Sequence, residues 1–472
     1  MSDLKDVIDL KSKRELFIDR FMIDQLNGLS MKLHVKTPDP FAMDQKINFT
    51  GFATKTEKDY AYGTAIKDGD RFRLYYRGFC EGASGKPDET FCYAESYDGI
   101  NFFKPNLGRC VVDGSVDNNV IQTGVDYYSH NMSPMLDRNP DAAYKCRYKA
   151  LAGHKRSGGL KAFGSEDGIA WFPLSNDPVI KVPEWSRHGF DSQNVSFWSE
   201  AEGCYVAYCR TWKLGLEDVV TDNPSYGVRW ISRCTSHDFI RWSELEELVP
   251  DNGIYENLYT NQFSPYFRSP HIYIGLGTRL VLHGDNASGG NTTDISLFST
   301  RGKGVEMNRL FMESFIRPGL TPSSWTNRAM YTFLNIIPVN DMQMAINMKN
   351  STHSLIRILC RTDGLTSLHA SYAGGEMITR PFTFQGDSLD MNFATSAAGH
   401  VLVSMLDEDG VEIPGVGIED GGRLYGDSIS HAVKWKHGAS VAALQGRCVR
   451  LRFEMRDADV YSFQFRNTGC DR

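Results

Sequence analysis

The sequence predicts an all-β protein, with a five-bladed β-propeller over residues 1–371 followed by a C-terminal β-sandwich over residues 372–472. Three observations lead to this prediction. Short apolar runs are separated by turn-forming pairs such as Asp-Gly, and 43 of the 472 residues are glycine, a pattern typical of strands and tight turns. One hairpin phrase recurs along most of the chain. The phrase then stops near Tyr372.

The recurring phrase has the form Ser-x-Asp-x-Ile-x-aromatic. Clear copies span residues 96–102, 165–171 and 236–242, and weaker copies lie at 299–304 and 361–365. Asp-Gly supplies the positive φ angles of a tight turn, and the aromatic residue returns on the next strand to cover the core. Each copy therefore predicts the hairpin between the third and fourth strands of one blade. Five copies predict five blades around an axis.

The two ends of the chain are interpreted separately. The segment 15–19 reads as a strand, and we expect it to close the propeller ring by pairing with the last blade. Beyond Tyr372, short strand-like runs continue without the phrase, over about 100 residues, which is the size and pattern of a β-sandwich.

Composition excludes several classes of partner. The net charge is −7 and no Lys/Arg cluster alternates with aromatic residues, which argues against nucleic acid. No apolar run approaches the roughly 20 residues of a membrane span, and residues 1–6 lack the apolar core of a signal peptide. We therefore expect a cytoplasmic protein, although a shortened secreted protein would look the same. The ten cysteines show no zinc-type spacing, so neither a metal nor another cofactor is expected.

Five sequence blocks, together with the hairpin phrase, carry a resemblance to a known superfamily. They are residues 15–19, 190–195, 258–261, 392–399 and 457–463. The chain resembles the five-bladed glycoside hydrolases of families 32, 43, 68 and 130, and most specifically a family-32-like group. The resemblance implies glycoside hydrolysis. It supplies no catalytic set, because the Asn-Asp-Pro-Asn-Gly, Arg-Asp-Pro and Glu-Cys blocks of family 32 are absent.

Catalytic candidates are therefore taken from propeller geometry. The first residues of each innermost strand face the mouth of the axis, and the segments expected there are unusually polar. Cleavage of a glycosidic bond normally needs two carboxyl groups. The candidates are Asp191, at the start of an inner strand; Glu256, just before another; Glu313, in an apolar run where burial would raise its pKa; and Asp59, before the first inner strand. Each also has a structural interpretation, as a turn cap, a solvated loop acid or, for Glu313, an ion pair with Arg317.

Sugar-binding candidates are the amide, imidazole, aromatic and charged side chains expected near the same mouth. They are Tyr60, Tyr62, His130, Asn131, Asn194, Asn261, Asp294, Arg268 and Trp325. Amides and carboxylates bind sugar hydroxyl groups, and aromatic rings cover the CH faces of sugars. Arginines, here Arg268, Arg317 and Arg328, are candidates for binding a carboxylate or phosphate.

Three functions remain open at this point. The first is a hydrolase that cleaves a small oligosaccharide or glycoside in the axial pocket. The second is a phosphorolytic enzyme similar to family 130, which would need a cluster of basic side chains at the mouth. The third is a propeller that only binds a carbohydrate or a protein, in which no two carboxyl groups would face each other. The sandwich could also pair copies of the chain into an oligomer.

Overall fold

The computed structural model describes residues 7–39, 46–52, 60–81, 87–124, 128–142, 144, 146–216, 219–221, 225–282, 290–350 and 354–469. The chain forms two compact units. One unit runs from Val35 to Leu359, and the other joins the chain up to His34 with the chain from Cys360 onward. The division therefore differs from the predicted one between residues 371 and 372, because the N-terminal strands pair with the C-terminal part of the chain.

The unit from Val35 to Leu359 carries five sheets arranged as the blades of a propeller, as predicted. Blade 1 contains strands Asn48–Gly51, Ala61–Asp68, Arg71–Glu81, Pro87–Ser96, Asn101–Lys104 and Val120–Thr123. Blade 2 contains Ser133–Leu136, Tyr148–His154, Gly159–Ser165, Phe172–Pro173 and Ile180–Lys181. Blade 3 contains Val195–Ser199, Cys204–Lys213, Val228–Ser236 and Glu246–Glu247. Blade 4 contains Ser264–Tyr266, Ser269–Val281 and Thr292–Thr300, and blade 5 contains Tyr331–Thr332, Ile337–Pro338, Gln343–Asn350 and Ser354–Arg361.

Outside the blades and the strands of the second unit, the described chain has only small elements of secondary structure. Strands Val249–Pro250 and Glu306–Met307 pair in parallel. One α-helical turn spans Tyr128–Asn131, and 3-10 turns span Lys155–Ser157, Glu184–Ser186, Pro322–Trp325, Lys436–Gly438 and Val441–Leu444. Within the described ranges, no helix has the length and apolar character needed to cross a membrane.

The Ser-x-Asp phrase forms the predicted hairpin between third and fourth strands. In blade 1, Ser96 Oγ donates to Asp98 Oδ1 at 2.8 Å, and the same carboxylate oxygen accepts two backbone N–H groups at 2.8 Å each. Burial alone would raise the pKa of Asp98, but these hydrogen bonds lower it to about 2. Asp167 and Asp238 make the same backbone bonds in blades 2 and 3. The repeat is therefore a local turn motif, with its hydrogen bonds contained within the phrase.

The propeller ring is closed by residues 46–51. Ile47 N donates at 3.1 Å to O of Leu355, which lies in the outer strand of blade 5, and Asn48–Gly51 then pairs in parallel with Asn101–Lys104 of blade 1. The prediction gave this role to residues 15–19 and was wrong. Arg14–Leu16 instead pairs antiparallel with the last strand of the other unit, and Phe17 N continues the contact by donating to Tyr461 O.

Three neighbouring blade pairs are joined by the same kind of polar contact. An acid at the end of the innermost strand of one blade, or just after it, accepts a hydrogen bond from the hydroxyl group of a tyrosine in the second strand of the next blade. The pairs are Asp68 with Tyr148, Asp137 with Tyr205 at 3.0 Å, and Glu202 with Tyr273 at 2.8 Å. These contacts link blades 1 to 2, 2 to 3 and 3 to 4, and they hold the inner strands in a fixed arrangement around the axis.

The second unit is also all β. Its strands are Ile8–Lys11, Arg14–Leu16, Ile23–Asn27, Leu29–Leu33, Thr366–Ala370, Gly375–Thr379, Phe382–Phe384, Ser388–Asp407, Asp427–Ala432 and Val449–Arg466. Hydrogen bonds join all ten into one sheet around a single apolar core. The fifth copy of the phrase leads into this unit, where Asp363 is buried and accepts from Asn392 and Ser462. The division into two facing sheets stays a prediction.

Candidate active site

A network of side chains fills the propeller axis below the mouth. Gln193 Nε2 donates to Thr64 Oγ1 at 2.9 Å and lies 3.3 Å from Ser133 Oγ. Gln262 Nε2 donates to Gln193 Oε1 at 2.8 Å and to Thr332 O at 2.7 Å. These five buried residues come from the first segments of blades 1 to 5. The mouth therefore has a polar floor to which every blade contributes.

Asp191 lies two residues before this floor in a tight turn. Phe190 adopts a left-handed φ of 67°, and Ser192 N donates to Phe190 O at 2.9 Å. The inner strand itself starts only at Val195, so Asp191 precedes the strand instead of opening it. Its side chain is 44% exposed, which makes the carboxylate accessible at the mouth.

Two histidines contact the Asp191 carboxylate, and a second carboxylate contacts one of these histidines from its other side. Asp191 Oδ1 lies 3.4 Å from His130 Nε2 and 3.4 Å from His154 Nε2. The other ring nitrogen of His130, Nδ1, lies 2.8 Å from Glu89 Oε1. Arg77 Nη1 in turn lies 3.3 Å from Glu89 Oε1. Asp191 and Glu89 are thus two carboxyl groups that contact opposite nitrogens of one imidazole ring.

The carboxylates and the basic side chains of this site stabilise one another's charged forms. Burial would raise the pKa of Asp191, but His130, His154 and Arg210 outweigh it and hold the pKa far below its ordinary value. Burial would lower the pKa of His130, but Asp191 and Glu89 outweigh it and raise that pKa above its ordinary value. Asp191 is therefore ionised at neutral pH, and the site favours an imidazolium between the two carboxylates.

Three tyrosines form a buried wall next to these residues. The Tyr331 ring lies 5.8 Å from the Tyr62 ring and 5.6 Å from the Tyr259 ring, both edge to face. The Tyr62 ring also lies 5.4 Å from the His130 ring. Burial and the neighbouring phenol of Tyr259 raise the pKa of Tyr62, so its hydroxyl group stays neutral and can donate a hydrogen bond.

Each blade places a basic residue near the mouth end of its second strand, and none of these residues was among those predicted from the sequence. These residues are Arg77, His154, Arg210, Arg279 and Lys349. Four contact Asp191, Glu89 or the tyrosine wall, and Arg279 is bound by other acids. The recurrence of a basic residue once per blade is the sequence signal that could have revealed them.

Glu256 and Asp294 belong to a separate ion cluster. Arg279 Nη1 lies 3.1 Å from Glu256 Oε1, and Arg279 Nη2 lies 2.6 Å from Asp294 Oδ2. Arg309 also binds Glu256. Both acids are therefore occupied by guanidinium groups, and in the part of the chain that the structure describes neither contacts Asp191. The carboxyl group that shares a histidine with Asp191 is Glu89, which was not among the predicted residues, and the catalytic role of Glu256 stays a prediction.

The three predicted sugar-binding asparagines support the backbone instead. Asn131, Asn194 and Asn261 are each at most 2% exposed, and their amide nitrogens donate to backbone carbonyls. Asn131 and Asn194 both bind the turn that presents Asp191. The alternation of side chains along a strand predicts which face of the sheet a residue occupies. It does not reveal that the side-chain amide already forms hydrogen bonds with the backbone of a neighbouring loop.

Three other predicted residues lie away from Asp191. Tyr60 packs in the core of blade 1, with its ring 5.1 Å from the Tyr76 ring. Glu313 is exposed, so the burial that the sequence led us to expect is absent. Arg268 lies in the turn after the innermost strand of blade 4, at the opposite end of the axis from the mouth. Asp59 lies outside the described residues.

Trp325 borders a cavity of its own. The cavity has a volume of about 550 Å³ and is also lined by Asp294 and Arg317. The indole is 55% exposed and its Nε1 donates to Gly319 O at 2.9 Å. A second cavity, of about 590 Å³, lies at the far end of the axis, where Arg138 and Glu200 contribute to its lining. Of the predicted residues, Asp191, His130, Tyr62 and Arg328 are the ones that the structure brings to the mouth.

Solved structures similar to this chain include several carbohydrate-active enzymes. A family 43 arabinoxylan arabinofuranohydrolase from Bacillus subtilis is 10% identical, with a TM-score of 0.42, and the match covers 87% of this chain and 96% of that one. A glycoside hydrolase from Parabacteroides distasonis, described as putative, is 16% identical, with a TM-score of 0.40 and coverages of 71% and 97%. A β-1,2-mannobiose phosphorylase from Listeria innocua is 11% identical, with a TM-score of 0.42 and coverages of 69% and 92%. No family model and no curated protein matches the sequence.

Proposed function

We propose that the protein cleaves a glycosidic bond of a small carbohydrate at the propeller mouth. The observation that carries this proposal is Asp191, an ionised and accessible carboxylate held 3.4 Å from two histidines. A second carboxyl group, Glu89, lies across the His130 ring. Two carboxyl groups at one accessible pit are the minimum that glycosidic cleavage normally needs.

The roles follow from the charges. In hydrolysis, Asp191 takes a proton from water, the water oxygen bonds to the anomeric carbon, and the glycosidic C–O bond breaks. The leaving oxygen receives the proton that Glu89 shares with His130. The low pKa of Asp191 keeps its carboxylate ionised at neutral pH and so able to accept a proton, and the raised pKa of His130 keeps a proton in the site at neutral pH.

Phosphorolysis is the second candidate, favoured by the basic side chains at the mouth. The guanidinium group of Arg210 neighbours Asp191 and the Tyr259 ring, and Arg328 lies over the same ring. In this reaction a phosphate oxygen bonds to the anomeric carbon, the glycosidic C–O bond breaks, and the leaving oxygen takes the proton shared by Glu89 and His130. The product is a sugar phosphate instead of a free sugar.

A substrate screen tests both reactions. Nitrophenyl α- and β-glycosides and short oligosaccharides are incubated with and without inorganic phosphate, and free sugar and sugar phosphate are quantified. Asp191→Asn and Glu89→Gln should each lower turnover by at least about 100-fold. Asp238→Asn, in a blade hairpin away from the mouth, is the matched control and should leave it unchanged.

The outcomes separate the candidates. Sugar phosphate formed only with added phosphate favours phosphorolysis, and free sugar formed without it favours hydrolysis. Sugar binding without any turnover would favour the non-catalytic propeller. Turnover that survives Asp191→Asn would place the chemistry elsewhere and contradict the proposal.

A further inference from the structure

Three guanidinium groups surround one tyrosine ring at the mouth. The guanidinium carbons of Arg210, Arg229 and Arg328 lie 5.3, 5.4 and 5.7 Å from the centroid of the Tyr259 ring. The charge of Arg229 helps to lower the pKa of Arg210, so these two positive charges repel each other, and such repulsion is stronger where water is excluded. Such a cluster favours an anion between its members.

Arg210 is the buried member of this group. It is 2% exposed, and its Nη1 lies 3.3 Å from Asp191 O and 3.4 Å from Tyr259 O, both neutral carbonyl oxygens. Its Nε has no hydrogen-bond partner. Among the described residues, no carboxylate lies within ion-pair distance of this guanidinium group. Burial and the neighbouring Arg229 lower the pKa of Arg210 and outweigh the opposite effect of the nearby Asp191, as expected for a buried cation without a carboxylate in direct contact.

Arg328 is the exposed member. It holds a left-handed φ of 58°, in a turn that Ala329 N closes by donating to Thr326 O. Residues other than glycine keep this backbone conformation at a cost, and such strain clusters at ligand sites. Within the residues that the structure covers, Arg328 forms no ion pair, although the Tyr259 phenol raises its pKa. The strained turn holds a permanent positive charge at the solvent side of the mouth.

We propose that Arg210 and Arg328 bind an oxyanion at the mouth, one from the buried side and one from the solvent side. Guanidinium groups match the oxygen geometry of carboxylate and phosphate and can bind either through two parallel hydrogen bonds. The oxyanion comes either from the substrate, as the carboxylate of an acidic sugar, or from solution, as inorganic phosphate. The inference deepens the proposed function, because it names the chemical class of ligand that the same site accepts.

Binding is measured by titration calorimetry in the Asp191→Asn variant, so that turnover does not interfere. The probes are methyl glucuronide, methyl galacturonide, the matching neutral methyl glycosides, and inorganic phosphate. At least one oxyanion should bind, and Arg328→Gln should weaken it about tenfold, as expected for the loss of a hydrogen bond to a charged group. Arg138→Gln, an exposed arginine at the far end of the axis, should change nothing. Arg328 is exposed, so its replacement should leave the fold intact. Arg210→Lys is a second variant, which keeps the positive charge but cannot form the two parallel hydrogen bonds of a guanidinium group.

The probes distinguish the two sources. Acidic sugars that bind more tightly than their neutral counterparts indicate a substrate carboxylate, whereas phosphate that binds alone indicates a phosphorolytic site. The inference is overturned if no oxyanion binds, or if Arg328→Gln and Arg138→Gln give the same affinity. Asp191→Asn should also bind the oxyanion more tightly than the wild-type protein, because a nearby negative charge is removed. Oxyanion binding that depends on Arg328 in a protein without turnover would refute the proposed function while leaving this inference intact.

Discussion

The replacement Asn131→Ala tests whether this residue positions Asp191 or binds sugar. Asn131 is 2% exposed. Its Nδ2 donates to Gly153 O at 2.7 Å, to Phe190 O at 2.9 Å and to Ser192 O at 2.8 Å, and its Oδ1 accepts Gly153 N at 3.0 Å. The amide nitrogen shares two hydrogens among its three acceptors, so the side chain makes at most three full hydrogen bonds. At about 1 kcal/mol for each net hydrogen bond, their loss lowers the free energy of unfolding by about 3 kcal/mol.

The neighbouring Asn194 refines this expectation. Its Nδ2 also donates to Phe190 O and Ser192 O, and its Oδ1 accepts Arg210 N. Asn194→Ala removes three bonds and should cost about 3 kcal/mol. Because the two side chains share two carbonyl acceptors, their effects should not add, and the double variant measures the coupling.

Urea unfolding gives the stability of each variant, and steady-state kinetics on the substrate found in the screen gives its activity. Asn131→Ala should lose stability and kcat, because the turn that presents Asp191 is loosened while no sugar contact is removed. Unchanged stability together with a raised KM would refute this reasoning. That result would instead restore the sequence-based hypothesis that Asn131 binds the sugar.

Two further predictions concern charged groups. Glu89→Gln should lower the pKa of His130, because the carboxylate helps to raise it. The ion pair contributes stability that is fully present below the ordinary histidine pKa of about 6.5 and is lost as pH rises through the raised pKa of His130. In denaturant titrations the stability difference between wild type and variant should therefore shrink as pH rises from about 6.5 through that raised pKa, and a difference that does not change with pH would contradict this. Lys149→Met should lower the unfolding free energy by about 3 to 5 kcal/mol, because it leaves the buried Asp137 without its ion-pair partner. Tyr205→Phe removes the hydroxyl group that donates to Asp137 and accepts from Asn139 and Lys149, but it leaves the ion pair in place. At about 1 kcal/mol for each net hydrogen bond, it should cost no more than about 3 kcal/mol, and thermal unfolding that ranks the two variants in the opposite order would exclude this account of the blade contact.

The blades could be predicted from sequence because their signal is local. In each clear copy of the phrase, Asp98, Asp167 or Asp238 bonds to backbone groups two and three residues later. A pattern contained in seven residues is visible without knowledge of the rest of the fold. The position of Asp191 near an inner strand followed from the same repeat.

The partners of Asp191 could not be predicted in this way. Glu89 meets His130 only because blades 1 and 2 pack side by side, 41 residues apart in the chain. The role of Asn131 depends on carbonyl groups as far away as Ser192, and nothing in the surrounding residues reveals that its amide is occupied. The basic residue near the mouth end of each second strand could have been predicted from the sequence. Aligning the five blades by their second strands, instead of by their hairpins, would have shown one basic residue at this position in every blade.

The central claim is that Asp191 carries the chemistry at the mouth, and the most direct test is the ratio of kcat/KM between the wild-type protein and Asp191→Asn. The replacement keeps the size of the side chain and removes its charge. Loss of a catalytic acid or base costs about 10²- to 10⁴-fold, and we predict a fall in kcat within this range with the fold unchanged by circular dichroism. A variant whose kcat/KM stays within about twofold of the wild type, a difference of less than about 0.5 kcal/mol in the barrier, would contradict the account.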